Sequence, residues 1–255
     1  MKLSISFAGI RHQNWLALYR SIPNVTSLPK EEYEFVIASP YDLLPELQGE
    51  PNVRLIKDWG NPTRCYQLGI LHSKGDYILT GIADDGVFSP TLAIDKALAL
   101  VDSAKKIVTM TYTESRNLRK IKPNKMSWST GGHPWMKNKP TINNNYLLVM
   151  AFLMRRDYLM EIGGLDCNFE YGGLALPDLS IRLQDDGAKV VMGERIMDLV
   201  LEFGGNHKPI EDAFREHDFP YFEQLYSQKV RPKVDFDNWT QSPEVWSRRF
   251  PGGKA

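Results

Sequence analysis

The chain has little of several things, and each scarcity removes a class of protein. Cysteine occurs only twice in 255 residues, as Cys65 and Cys167. Two cysteines cannot build a disulfide framework or a cysteine-based zinc site, and they read as reduced, buried thiols. Net charge is absent: Lys plus Arg number 31 and Asp plus Glu number 31. A chain so balanced does not coat nucleic acid or membrane by bulk charge, although a local charged patch stays open. No stretch approaches the roughly 18 consecutive apolar residues of a membrane-spanning helix. The opening MKLSISFAGIRHQNW has an apolar run broken by Ser4, Ser6 and Arg11. It therefore lacks the long apolar core of a secretory signal, and a cytoplasmic location is expected. Repeats and low-complexity tracts are missing too. What remains is the composition of an ordinary soluble globular protein, 42% hydrophobic and 24% charged. At roughly 100–200 residues per domain, the length allows one large domain or two small ones.

Hydrophobic periodicity predicts alternating strands and helices in the first half. Leu3, Ile5 and Phe7 alternate with polar residues as a strand, and Trp15, Leu18, Tyr19 and Ile22 follow at helical spacing. Strands are expected over Tyr33–Ala38 and Val53–Ile56, then a helix from Pro62 to Lys74. Tyr77–Ile82 is nearly continuously apolar, as suits a strand buried on both faces. Ser89-Pro90 reads as a helix start and Lys106–Thr113 as a strand. Short connections between such elements imply an α/β sheet, mostly parallel. In the second half, Tyr146–Met154, Ala188–Met192 and Ile196–Phe203 are expected strands, and Arg155–Ile162 and Pro177–Asp186 expected helices. Residues 1–203 are expected to form the main domain, with 204–255 an extension packed on it.

Two places could carry chemistry. Asp84-Asp85 follows the buried strand Tyr77–Ile82, and open α/β sheets bind ligands outside the carboxyl ends of their strands. Two adjacent carboxylates repel unless a cation lies beside them, and a hard divalent ion would also bridge to phosphate. Taken alone, the pair is more simply an ordinary acidic turn closed by Gly86. Further on, Asp178 stands at an expected helix start, where the helix dipole keeps a carboxylate ionised, as a general base must be. A helix-capping Asp explains it too.

Taken together and in order, these segments resemble a known family. ISFAGI, then WGNPTRCYQLG, GDYIL, the aspartate pair, and RRDYLMEIGGLD with DLSIRL resemble the family-2 type of glycosyltransferase with the GT-A fold, over about residues 1–192. The resemblance implies a Rossmann-like mixed, mostly parallel sheet flanked by helices. It implies transfer of a sugar from a nucleotide-sugar donor, with a UDP-sugar the favoured one, to an acceptor hydroxyl. It implies Mn²⁺ or Mg²⁺ as cofactor and inversion at the sugar carbon. Donor contacts carried over are Ala8, Gly9, Arg11, Ser39, Asp42, Arg64 and Asp84. Asp85 and His207 are the implied metal ligands, although Ala83 stands where the family's Asp-X-Asp motif begins. Asp178 is the implied base, with Asp166 and Glu170 in reserve, because Leu174 to Pro177 replaces the usual Glu-Asp pair.

Between Arg116 and Lys139 lie seven Lys or Arg and no Asp or Glu, interleaved with Trp128, His133 and Trp135. The resemblance puts this segment on the acceptor side. An anionic acceptor is the expectation, either a phosphorylated lipid or glycan or a hydroxyl-bearing nucleic acid, and a solvated basic loop that only covers the donor diphosphate accounts for the segment equally well. Two rival readings are kept: a sugar nucleotidyltransferase, and a nucleotide-sugar-binding module without turnover. The first would be expected to show a glycine-rich loop after the first strand, where Ala8-Gly9-Ile10-Arg11 stands.

Overall fold

The computed structural model describes residues 1–115, 146–200, 207–227 and 231–241. The basic segment with Trp128, His133 and Trp135 lies outside them. Among the described residues eight strands run in chain order: β1 (Leu3–Ala8), β2 (Tyr33–Ser39), β3 (Val53–Lys57), β4 (Tyr77–Thr80), β5 (Gly86–Phe88), β6 (Lys106–Ser115), β7 (Phe152–Arg155) and β8 (Lys189–Val200). They form one mixed sheet in the order β3-β2-β1-β4-β7-β6-β8-β5. β1 is parallel to β2 and β4, β2 to β3, and β6 to β8, whereas β7 runs antiparallel to β4 and β6, and β5 to β8.

The helices are α1 (Trp15–Arg20), α2 (Pro62–His72), α3 (Ala93–Leu100), α4 (Arg156–Glu161), α5 (Gly172–Asp185), α6 (His207–Ala213) and α7 (Phe219–Ser227). They cover a sheet whose two faces feed two apolar cores. In β4, Leu79 packs into the core that holds Phe7, Trp15 and Phe35, while its neighbour Ile78 packs into the core of Phe152, Phe169 and Leu179. That is the period-2 alternation of a strand buried on both sides. Phe222, Leu225 and Tyr226 of α7 join the second core. β1 puts its apolar residues on the first face and Ser4 on the other, where the hydroxyl donates to Glu34 at 2.6 Å and accepts from the Gly75 amide at 2.8 Å.

Four sequence expectations need correction. Ser89-Pro90 does not start a helix: Ser89 donates its amide to the Ile196 carbonyl and its hydroxyl to Asp198, and α3 begins at Ala93. The residues just before it, Gly86–Phe88, pair with β8 as β5. A Cβ at Gly86 would lie 2.6 Å from the Asp198 carbonyl oxygen, so only glycine permits that approach. The strand expected over Tyr146–Met154 is confined to Phe152–Arg155. The two strands expected over Ala188–Met192 and Ile196–Phe203 form one, because the register against β6 shifts between Met192 and Arg195 and absorbs the break. Finally, α5 starts at Gly172, five residues before Pro177. Proline lacks an N–H, so one helical bond is lost, but burial of Leu174 and Ala175 sustains the turn before it.

Candidate functional site

The sheet order places a topological switch beside β1. From β1 the chain moves outward to β2 and β3, then returns to add β4 on the other side of β1. The crevice outside the carboxyl ends of β1 and β4 is where open α/β sheets bind ligands. β4 ends at Thr80, and Gly81 turns the backbone with a φ of +69°, a conformation costly for any residue with a Cβ. Ile82 then returns to the core, and Asp84 and Asp85 come to the crevice.

Asp84 is held by the segment that leaves β1. Its Oδ2 accepts the backbone amides of Ile10 at 2.5 Å and Arg11 at 2.6 Å, and its Oδ1 accepts Arg11 Nη1 at 2.9 Å. The same Nη1 lies 3.9 Å from Asp85 Oδ2. Both carboxylates are buried, and Arg11 is 25% exposed along its side chain. Burial works against the Arg11 charge, but Asp84 and Asp85 outweigh it and raise the guanidinium pKa. Two tyrosines face the cluster. Tyr66 donates its hydroxyl to the Ile82 carbonyl at 2.8 Å, and burial, with the Asp84 charge next, pushes its phenol far up. Tyr171 is raised chiefly by burial, with Arg11 opposing and both aspartates assisting. Neither tyrosine is among the residues the sequence points to, although Tyr66 sits inside the stretch WGNPTRCYQLG.

Other expected donor contacts are distributed along the same edge. Ala8 ends β1, and the Gly9 amide donates to the Ala38 carbonyl at 2.9 Å. Ser39 ends β2, fully buried, and its hydroxyl accepts the Tyr41 amide. Asp42 pairs with Lys57 at 2.8 Å on a side chain 94% exposed. Arg64 is turned elsewhere. It makes a bidentate pair with Asp58, donates to the Trp239 carbonyl at 2.6 Å and lies over the Trp239 ring.

Asp178 is not with the aspartate pair's partners. It is fully buried inside α5 and accepts Arg182 Nε, Arg231 Nε and the Tyr226 hydroxyl, each at 2.8 Å. Burial alone would raise its pKa, but Arg182 and then Arg231 overturn that and hold the carboxyl below its ordinary value. All three donors are internal, so the carboxylate is a charge centre of the second core. Asp166 belongs to the same network through Arg231 Nη2 at 2.5 Å and the Tyr221 hydroxyl at 2.9 Å. Glu170 is buried, and its Oε1 lies 4.0 Å from His217 Nδ1.

Among the described residues no three His, Cys, Asp or Glu side chains cluster as metal ligands. Asp84 is already committed to two amides and a guanidinium. His207 opens α6, and its side chain lies outside the described part.

No family model and no curated protein matches the sequence. Solved structures do. TarS of S. aureus, residues 1–349 with UDP-GlcNAc, superposes with a TM-score of 0.60 at 14% identity, over 99% of this chain and 73% of that one. The same TarS fragment without a stated ligand gives 0.59 at 13% identity, over 100% of this chain and 73% of that one. Its complex with UDP gives 0.53 at 14% identity, over 78% of this chain and 60% of that one. The fold is of the GT-A type. A longer TarS chain is spanned over 46% of its length.

Proposed function

We propose that this chain is a glycosyltransferase that takes a sugar from a nucleotide-sugar donor bound across the carboxyl ends of β1, β2 and β4. The observation that carries the reading is the position of Asp84, Asp85 and Arg11 at the switch point of a GT-A-type sheet. The TarS complexes with UDP and UDP-GlcNAc support a uridine donor. Gly9 and Ser39 are offered as the backbone edge for the nucleotide, and the exposed side of Arg11 as a cation toward the diphosphate. The resemblance supports inversion at the sugar carbon, which the anomeric signal of the product tests. The basic segment 116–139 supports an anionic acceptor, and acceptor binding that weakens steeply as salt rises is the expected signature.

Thermal shift with UDP-, GDP-, CDP- and dTDP-sugars, followed by transfer from the labelled donor that stabilises most, tests the reading. A UDP-sugar should raise the melting temperature and be consumed. The absence of any shift with all four would overturn the proposal. A second reading has one observation in its favour. The sealing of Asp178 between Arg182 and Arg231 leaves a donor-binding protein without turnover as the rival, and donor stabilisation without transfer or hydrolysis would select it.

A further inference from the structure

Arg11 occupies the place at the aspartate pair that a divalent ion would need. Its Nη1 sits between Asp84 Oδ1 at 2.9 Å and Asp85 Oδ2 at 3.9 Å. The second oxygen of Asp84 is filled by two amides of the same segment. A Mg²⁺ ion needs carboxylate oxygens at about 2.0–2.1 Å in a near-octahedral shell, which this arrangement leaves no room to build on Asp84. A guanidinium and a dication sharing the same two carboxylates would also repel at close range. The Arg11 side chain is not a loose surface group: it is anchored through its own backbone amide on the same carboxylate, and this makes its return after any displacement an intramolecular event.

We propose that Arg11 is a built-in counter-cation that competes with divalent metal for Asp84 and Asp85. The fold family leads one to expect a metal here; this chain carries its own cation instead. The inference concerns the cation alone, so it is tested without a sugar donor and does not fall if the donor reading falls.

Mn²⁺ alone is the probe, followed by the electron paramagnetic resonance of free Mn²⁺ and by titration calorimetry at neutral pH. The intact chain should bind Mn²⁺ at least tenfold more weakly than Arg11→Gln. The gain should vanish in Arg11→Gln with Asp84→Asn. Circular dichroism and melting curves establish that each variant is folded, and Arg11→Met serves if the glutamine variant is not. Micromolar Mn²⁺ binding by the unmodified chain, lost in Asp85→Asn, would overturn the proposal. So would a folded Arg11→Gln or Arg11→Met whose Mn²⁺ affinity equals that of the unmodified chain.

Discussion

Replacing Asp178 by asparagine separates two accounts of that residue, because only one of them makes the substitution destabilising. If it were a solvent-reaching base, Asp178→Asn would remove turnover and leave the fold nearly unchanged. The structure places it at the centre of a sealed network instead, with Arg182, Arg231 and Tyr226 all donating to it at 2.8 Å. The asparagine keeps the shape but leaves two buried guanidinium groups facing a neutral amide. Removing one partner of a buried ion pair costs about 3–5 kcal/mol. For a chain of this size each kcal/mol moves the melting temperature by about 2–4 °C, so the expected drop is roughly 6–20 °C. The pH dependence has a definite sign. The folded carboxyl titrates below its ordinary value, since Arg182 and Arg231 outweigh burial. Its contribution is therefore complete above the unfolded pKa of about 3.9 and is lost as pH falls through the lower folded value. Melting curves of both proteins should lie far apart at pH 7, begin to approach each other only below about pH 4, and meet once pH has fallen below the lower folded value. A variant that melts within about a degree of the unmodified chain at pH 7 would refute the reasoning.

Gly86→Ala should cost about 1–3 kcal/mol, because the new methyl group would lie 2.6 Å from the Asp198 carbonyl oxygen and force β5 off β8. A urea midpoint equal to that of the unmodified chain would contradict this. Cys65 and Cys167 are both buried, and burial pushes the Cys65 thiol well up. In the native protein at pH 8 neither should react with a thiol reagent on the timescale that labels both in urea. Rapid native labelling would show that the surroundings of these two residues open far more readily than their burial implies.

The parts of the fold legible in the sequence are those whose signals are local. β1, β2 and α2 announce themselves by alternation, by apolar runs and by Asn61-Pro62, where the Asn61 side chain accepts the Arg64 amide at 2.7 Å. The switch-point carboxylates were legible as well, because an acidic pair after a doubly buried strand is a local pattern. What escaped is set by distant partners. β5 is three residues long, too short for any period, and it is a strand only because β8 lies beside it. Asp178 follows a proline and so resembles a helix start, but its environment is decided by Arg231, 53 residues later. Arg11 could be named as a donor contact from the resemblance, whereas its bond to an aspartate 73 residues away is invisible to spacing.

The segment 231–241 reaches deep into the molecule. Arg231 joins Asp166 to Asp178, Gln67 donates to the Phe236 carbonyl at 2.9 Å, and Asn238 accepts the Cys167 amide at 2.7 Å while its own amide donates to Leu165. Until that segment has been synthesised, two core carboxylates lack their shared cation and the Cys167 amide lacks its acceptor. Vectorial folding on the ribosome can assemble the strands around β1 early. The half of the molecule around α5 completes its polar network only once these residues have emerged.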